Sequence, residues 1–340
     1  MPLIALVSAK SDGVTTSAAA MALGSRRPVL LAELDLAGGS LRHGLLRDVP
    51  RGAHRERLDR HIGLHRLPQA DLARAGEEVD FGPAVAQHFW PMDDTDNRVA
   101  LPGLLDPRQA ASLTSTWPAL LQVLRRSDAN PDKRWDVIVD AGRVVLDGGR
   151  LHPVLSPAAV LRAADVVLVV ARTTEASLAL ADPVVQALHT DLTQHGSGTR
   201  PLGLLLLGSD FRVDDVQRNL ETPVMGQLPW DEASAAWIER GGRMPRALGR
   251  GSRLIRAAGQ VLDPLRQHAD QRRLHLQMRG GITAPAAPTT PPPPAPADNT
   301  PLPTAAPLAP SPPPPAPAPP APAAAARMVQ QFAQRERPHG

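Results

Sequence analysis

The 340-residue sequence contains no cysteine and no tyrosine, and its aromatic residues are limited to four Phe and five Trp. The absence of cysteine excludes disulfide bridges, thiolate metal sites and cysteine nucleophiles. The five Trp are scattered and form no stacking array for single-stranded nucleic acid. No apolar run reaches the roughly 18 residues of a transmembrane helix, and the N-terminus lacks the basic region of a secretory signal. The sequence therefore predicts a cytoplasmic protein that does not insert stably into a membrane.

Lysine is also scarce, since Lys10 and Lys133 are the two lysines among 37 basic residues. The formal net charge is +3, but it is unevenly distributed. Residues 1–239 carry 24 basic and 30 acidic side chains, whereas residues 240–279 carry ten Arg against two Asp. Such a basic block attracts nucleic acid or an acidic surface, and it is equally typical of the solvated face of a terminal helix. The sequence leaves both interpretations open.

Proline is abundant, but half of it lies in one segment. Of the 38 prolines, 19 fall between Pro285 and Pro322. Because each proline removes an N–H donor and fixes φ, this segment cannot form helices or sheet ladders. We therefore predict a folded domain over 1–281, a disordered Pro/Ala-rich linker over 282–326 and a short C-terminal segment over 327–340. Such a linker is typical of a spacer or of a ligand for proline-binding domains, so we expect a protein partner for this tail.

Short apolar runs alternate with helical patterns along the first 281 residues. This alternation predicts an α/β fold with a doubly wound, mainly parallel sheet, although residues 42–97 show no clear pattern. Ligands of such folds bind at the carboxyl ends of the strands. The runs lie at 3–7, 28–32, 99–101, 135–140, 165–171, 202–207 and 224–228.

The loop after the first run has part of a phosphate-binding pattern, which is Gly, four residues, then Gly-Lys-Ser/Thr between a strand and a helix. Aligned without gaps, Gly13 takes the second glycine and Thr15 the magnesium-binding hydroxyl. Ser8 stands in place of the first glycine, and Val14 in place of the lysine. A helix N-terminus still offers N–H groups to a phosphate. A Gly-Val-Thr-Thr turn that simply begins a helix is the alternative.

Carboxylates end the second and third long runs. Glu33 and Asp35 lie two residues apart, and Asp140 closes the apolar run Val137-Ile-Val. An aspartate in the latter position is typical of the carboxylate that holds Mg²⁺ in nucleotide-hydrolysing proteins. Each carboxylate alone is also typical of a polar turn. Together, on neighbouring strands, they indicate one site, and we expect Gly13, Asp35 and Asp140 to converge there.

The order of these motifs resembles the MinD/ParA family of dimeric P-loop ATPases, over residues 3 to about 265. The resemblance rests on the loop to Thr16, on Val29–Asp35, on Trp135–Asp140, on Ala164–Val170, and on the final segments Gly203–Leu207 and Val224–Asp231. It implies a homodimer that binds ATP and Mg²⁺.

The resemblance also implies roles for single residues. Gly13, Val14, Thr15 and Thr16 would line the phosphates, and Asp35 would orient the attacking water. Thr15 and Asp140 would hold Mg²⁺. Pro229 and Asp231 would lie beside the adenine. The asparagine that contacts adenine in the family is absent, since Gly208-Ser209-Asp210 stands there.

The loop departs from the family at both of its lysines. Val14 replaces one of them, and Ala9 occupies the position of the signature lysine that reaches across the dimer. Lys10 lies one position further on, and a one-residue deletion would return it to that catalytic role. Losing one charged donor to the phosphates typically costs a factor of roughly 10² or more in rate. We therefore expect weak nucleotide binding with slow or absent hydrolysis.

By the same resemblance, the protein would position a chromosome, a septum or a polar machine. Arg246, Arg250, Arg253 and Arg256 would then contact DNA without sequence specificity. The alternative is a pseudo-ATPase scaffold, similar to the TadZ/CpaE branch, that localises through protein contacts and does not depend on ATP.

Overall fold

The structure is a computed structural model that describes residues 2–74, 79–95, 97–125, 135–196, 201–242 and 251–282, with side chains described up to residue 274 in the last range. Residues Met1–Ala284 form one compact unit. The Pro/Ala-rich linker beyond residue 282 and the C-terminal segment predicted from the sequence lie outside the described residues, as do Arg246 and Arg250.

A sheet of eight strands forms the centre of this unit. The strands are β1 (Leu3–Ser8), β2 (Val29–Glu33), β3 (Trp90–Pro91), β4 (Arg98–Leu101), β5 (Asp136–Arg143), β8 (Val166–Arg172), β9 (Leu202–Leu207) and β10 (Val224–Leu228), while β6 (Leu146–Asp147) and β7 (Arg150–Leu151) form a separate hairpin. Their order is β10-β9-β8-β1-β5-β2-β4-β3. Within the described residues, β3–β4 is the one antiparallel pair of this sheet. The predicted doubly wound, mainly parallel sheet is confirmed.

Helices cover both faces of the sheet. They are α1 (Val14–Gly24), α2 (Leu67–Ala73), α3 (Gly82–Ala86), α4 (Trp117–Arg125), α5 (Ala158–Ala163), α6 (Glu175–His195), α7 (Val213–Asn219), α8 (Glu232–Arg240) and α9 (Arg253–Ile282), with 3-10 helices at Leu64–Arg66 and Pro107–Leu113. Alternate side chains of β1 lie on opposite faces of the sheet. Ile4 and Leu6 belong to the apolar layer that includes α1 and α9, and Ala5 and Val7 belong to the layer that includes α4 to α7. Strand β1 is therefore buried on both faces along its whole length.

Helix α1 lies unusually close to α9. A Cβ atom added to Gly24 would lie 2.4 Å from the carbonyl oxygen of Ile255, and one added to Gly259 would lie 2.5 Å from that of Gly24. The two backbones therefore meet where neither residue has a side chain. This contact and the buried alanine side chains of α1 hold α1 in place. The first turn of α1 therefore lies at the carboxyl end of β1.

The segment from Asp106 to Leu124 forms two helices in place of one. Asp106 caps the 3-10 helix Pro107–Leu113, and α4 begins only at Trp117. Pro118 has no N–H group, so it is tolerated in the first turn of a helix but not in its interior. The unassigned region 42–97 contributes α2, α3 and the edge strand β3, where buried Trp90 donates a hydrogen bond to the carbonyl of Val49 at 2.9 Å.

Part of the basic block has a structural role. Arg266 of α9 is buried and forms an ion pair with Asp136 at 2.5 Å. Arg272 donates to the carbonyl oxygen of Ala164 at 3.2 Å, and Arg273 pairs with the buried Asp165. These arginines attach α9 to the amino ends of β5 and β8, so a fully solvated arginine face is the wrong description of this helix. Among the described residues, no helix has both the length and the apolar character needed to cross a bilayer.

Candidate nucleotide-binding site

The carboxyl ends of β1, β2 and β5 open into one cleft. Its volume is about 310 Å³, and its lining includes Gly13, Asp35 and Arg143. Thr15, in the first turn of α1, lines the same cleft and lies beside the buried carboxyl group of Asp140. Residues that lie far apart in the chain therefore meet where the parallel strands end, as the sequence predicted.

The loop after β1 turns into α1 at Gly13. This residue has φ +79°, and an added Cβ atom would approach the Leu207 Cδ1 atom at 3.2 Å, so both conformation and space favour glycine. The N–H group of Ser17 closes the first turn on the Gly13 carbonyl oxygen at 2.9 Å. No side chain caps this helix. Its first N–H groups and its positive dipole end therefore remain available to an anion in the cleft.

Asp140 is completely buried within the carboxyl half of β5. Its Oδ1 atom accepts a hydrogen bond from the N–H group of Gly142 at 3.0 Å, and its Oδ2 atom has no hydrogen-bond partner. Burial, followed by the negative charge of Glu33, raises the pKa of Asp140 to about 8, although the Thr15 hydroxyl lowers it. A buried carboxyl group of this kind is poorly satisfied by the protein alone and is suited to a cation.

Glu33 has a role that its sequence position did not reveal. Its carboxylate accepts backbone N–H hydrogen bonds from Ser40 at 2.6 Å, Leu41 at 2.8 Å and Gly103 at 2.7 Å. Burial raises the pKa of Glu33 despite these donors. The side chain thus fastens the loop after β2 to the loop after β4. In the sequence, the spacing of Glu33 and Asp35 indicated that both carboxylates belong to this edge. Only the fold shows that Glu33 holds the two loops together and that Asp35 lines the cleft.

Asp35 occupies the cleft itself. Its Oδ1 atom accepts a hydrogen bond from the N–H group of Ala37 at 2.8 Å. Burial raises the pKa of Asp35, while the Ala37 N–H group and the positive charge of Arg143 lower it. A Cβ atom added to Gly142, which has φ +62°, would lie 2.1 Å from the Asp35 Cγ atom. Gly142 therefore leaves the space that the Asp35 carboxylate occupies.

These residues fit a magnesium ion that is shared with a phosphate ligand. Among the described residues, no group of three or more His, Asp and Glu side chains is arranged to hold a metal alone. Mg²⁺ commonly binds through one or two carboxylates, several waters and the phosphates of a substrate. The unpartnered Oδ2 atom of Asp140 and the adjacent Thr15 hydroxyl could supply the protein's oxygen ligands to such a site.

Neither lysine position of the loop places a charge in this cleft. Val14 is 3% exposed and packs into the apolar layer beneath α1. Lys10 is exposed in the bend after β1 and is not among the residues that line the cleft. Thr16 lines the cleft together with Thr15. The loop therefore offers backbone and hydroxyl groups to an anion, but no lysine ammonium group.

A second cleft lies at the same edge, beyond the ends of β8, β9 and β10. Its volume is about 530 Å³, and Pro229, Gly208 and Asp210 line it. Arg172 stacks on the ring of Trp230, with 4.2 Å from its Cζ atom to the ring centroid. Leu207, which contacts the first loop at Gly13, also lines this cleft, so the two clefts are neighbours.

Asp231 is engaged in the fold rather than facing this cleft. Its carboxylate accepts hydrogen bonds from the N–H group of Ser234 at 3.0 Å and from the hydroxyl of the same residue at 2.7 Å. It is therefore the N-cap of α8. Of the arginines expected to contact DNA, Arg253 lines the second cleft and Arg256 donates to the carbonyl oxygen of Gly251 at 3.3 Å.

A doubly wound parallel sheet, with a glycine turn into a helix after β1 and a buried aspartate on the adjacent strand, defines the P-loop class of folds. More narrowly, the chain has the fold of the ParA and MinD ATPases. The ParA family ATPase from Chlorobium tepidum TLS superposes with a TM-score of 0.52 at 15% identity, over 77% of this chain and 98% of that one. Pyrococcus furiosus cell division ATPase MinD gives a TM-score of 0.51 at 17% identity, over 78% of this chain and 100% of that one.

A Cyanothece McdA variant in complex with ATP gives a TM-score of 0.51 at 15% identity, over 77% of this chain and 96% of that one. No protein-family model matches the sequence, and the comparison with curated proteins gives no match. The likeness is therefore one of fold.

Proposed function

We propose that the protein binds ATP with Mg²⁺ in the cleft at the ends of β1, β2 and β5 and acts as a ParA/MinD-like positioning factor. Thr15 and Asp140 bind the metal, residues 13–16 bind the phosphates, and Pro229 lies beside the base. The observation that carries the proposal is the buried Asp140 carboxyl group. It has an unpartnered oxygen, adjoins the Thr15 hydroxyl and lies near the uncapped first turn of α1.

A thermal-shift titration tests this binding. A ligand that binds the native state raises Tm in proportion to the logarithm of its concentration above Kd. We expect a concentration-dependent rise with ATP and Mg²⁺, which EDTA removes. Asp140→Ala abolishes the rise, whereas Asp147→Ala, a change of an exposed aspartate in the β6–β7 hairpin, leaves it intact. A wild-type protein whose Tm does not respond would contradict the proposal.

We propose further that hydrolysis is slow or absent. In this proposal Asp35 orients the attacking water, but Val14 stands where a phosphate-binding lysine would be, and phosphoryl transfer depends on positioning and electrostatic stabilisation. Lys10 would need to approach a phosphate from outside the cleft, across a dimer. Val14→Lys should therefore raise turnover, measured by phosphate release, by roughly 10²-fold, and Lys10→Ala should lower it if that lysine acts in the partner's site.

A homodimer that closes over this edge is supported by exposed apolar side chains. Leu105, Phe211 and Trp230 follow β4, β9 and β10 and are 42%, 42% and 53% exposed. Of these, Phe211 and Trp230 follow the neighbouring strands β9 and β10, and a contiguous exposed apolar patch is typical of an interaction site. Light scattering should show a dimer with ATP and Mg²⁺, and Phe211→Asp should restore the monomer without changing the fold.

A more specific form of the proposal is that the basic block, residues 240–279, attaches the protein to a chromosome. Arg253 and Arg256 are available for it, together with Arg246 and Arg250 outside the described residues. Non-specific DNA binding is driven by counterion release, so retention should fall steeply with salt. Alanine replacement of all four arginines should abolish retention. Replacement of the exposed Arg47 and Arg218, which lie outside this block, is the matched control.

The second candidate is a scaffold of the TadZ/CpaE kind, which keeps the fold without depending on ATP. It is favoured by the buried Val14 and by the exposed position of Lys10. In that case, a partner protein bound to the proline-rich tail would set the position of this protein within the cytoplasm. Truncation after residue 284 should then abolish localisation of the fluorescently tagged protein, whereas Asp140→Ala should not.

A further inference from the structure

A cation that the phosphate loop lacks is supplied to the same cleft by the neighbouring strand. Arg143, the last residue of β5, lines the cleft together with Val14 and Thr15. It is in register with Ser8, the residue at which the loop leaves β1. The end of β5 therefore lies beside the end of β1, which carries the loop, although Arg143 and Ser8 are 135 positions apart in the chain.

An irregularity in the sheet gives Arg143 this position. Leu6 pairs with Asp140 and Ser8 pairs with Arg143, so β5 has one residue more than β1 in this interval. Gly142 lies within that interval and has φ +62°. An extra residue in one strand is a bulge, which reorients the side chains beside it and is frequent next to functional sites.

The Arg143 guanidinium is not committed to another group. Among the residues that the structure describes, none forms an ion pair or a hydrogen bond with its side chain. Its charge reaches Asp35, whose pKa it lowers. An arginine that is neither paired nor distant from the cleft has its five N–H donors available to a ligand, and a guanidinium matches the oxygens of a phosphate in pairs.

We propose that Arg143 is the phosphate-binding cation of this site and replaces the loop lysine whose position Val14 occupies. Its ligand is the terminal phosphate group of a nucleoside triphosphate. This inference rests on the proposed nucleotide binding. It explains how a loop with a buried apolar side chain at position 14 retains a positive charge opposite the phosphates.

The test compares Arg143→Gln with Arg150→Gln, a matched change of an exposed arginine in β7 that does not line the cleft. Hydrogen bonds to a charged group contribute about 1.5–3 kcal/mol, so we expect Arg143→Gln to weaken ATP–Mg²⁺ binding about tenfold or more in calorimetry. The loss should be smaller for ADP and absent for adenosine. Arg150→Gln should bind all three as the wild type does, and equal denaturation midpoints establish that both variants fold.

A rescue variant distinguishes direct phosphate binding from an effect through Asp35. Val14→Lys combined with Arg143→Gln should recover ATP–Mg²⁺ affinity, because a cation returns to the cleft from the loop. Arg143→Gln should also weaken binding in the Asp35→Asn background. If the wild type binds ATP–Mg²⁺ and Arg143→Gln binds it equally well, or loses its effect once Asp35 is neutral, the inference is wrong and the proposed function stands. If the wild type does not bind, both fail.

Discussion

Strand β5 carries two buried aspartates, one at its first residue and one towards its carboxyl end, and their surroundings differ. At the amino end, Asp136 is paired with Arg266, which also donates to the Ser25 hydroxyl at 2.7 Å. At the carboxyl end, Asp140 has no basic side chain paired with it among the described residues, and Glu33 and Asp35 add negative charge. Each aspartate keeps one oxygen without a hydrogen-bond partner, so the difference lies in the neutralising charge.

This difference separates a structural carboxylate from one that awaits a ligand. Burying a charge is costly unless it is paired or hydrogen-bonded, and at Asp136 the protein supplies the opposite charge through Arg266. Burial raises the pKa of both aspartates, but Arg266 opposes this rise at Asp136, whereas the negative charges of Glu33 and Asp35 add to it at Asp140. The carboxyl edge of the sheet thus holds unsatisfied charge that a metal ion would neutralise, while the amino edge is neutralised internally.

The largest effect should come from breaking the pair at the amino end. Arg266→Leu leaves Asp136 buried without a partner, and breaking a buried pair in this way costs about 3–5 kcal/mol of unfolding free energy. Urea denaturation measures the loss. Arg218→Leu, which breaks the exposed pair with Asp215, is the control and should cost less than about 1 kcal/mol. Equal losses would mean that the buried pair has no special role.

The next largest effect should come from Gly142→Ala. Comparison with Gly148→Ala separates the cost of backbone strain from the cost of displacing Asp35. Gly142 and Gly148 have φ of +62° and +55°, but only Gly142 has a neighbour that an added Cβ atom would meet. Alanine at Gly148 should cost about 1–2 kcal/mol, the price of a left-handed residue with a side chain. Gly142→Ala should cost more and should also abolish the Tm rise with ATP–Mg²⁺. A retained Tm rise in Gly142→Ala would show that the position of Asp35 is not needed for binding.

A smaller effect should appear as pH dependence. The folded pKa of Asp140, about 8, lies above its ordinary value of 3.8, so between these values the folded ligand-free protein holds a proton that the unfolded chain releases. Stability from this group is complete below the ordinary value and is lost as pH rises towards 8, by about 1.4 kcal/mol per pH unit. Between pH 6 and 7.5 we expect about 2 kcal/mol, measured by urea denaturation. Asp140→Asn should remove that part of the slope, and an unchanged slope would contradict the assignment.

The smallest effect should come from a carboxylate that the fold already satisfies. Asp231→Ala removes the N-cap of α8 and should cost about 1 kcal/mol, as measured caps do. Calorimetry with ATP–Mg²⁺ then decides whether Asp231 also contacts the base. Unchanged affinity would show that Asp231 only stabilises the fold, as Asp136 does. Weaker binding would show that Asp231 also contacts the nucleotide.

Much of the sheet could be predicted from the sequence, because its central strands are continuous apolar runs buried on both faces. Region 42–97 could not, because α2 and α3 are short and depend on tertiary contacts more than on periodicity. Pro118 is a local signal for the start of α4, because proline is tolerated in the first turn of a helix but not in its interior. The basic block was also ambiguous, because whether an arginine faces water or a buried aspartate depends on the strand against which its helix packs.

For the site, the sequence determined which strands end in glycine, threonine and carboxylates, because local residue order sets those types and parallel strands bring their carboxyl ends to one edge. Only the tertiary structure decided the roles at that edge. Glu33 fastens two loops, Asp140 stays unpaired, and a bulge at Gly142 brings Arg143 beside the loop. These outcomes depend on distances between residues far apart in the chain, and on burial, which together set the charge balance of each group.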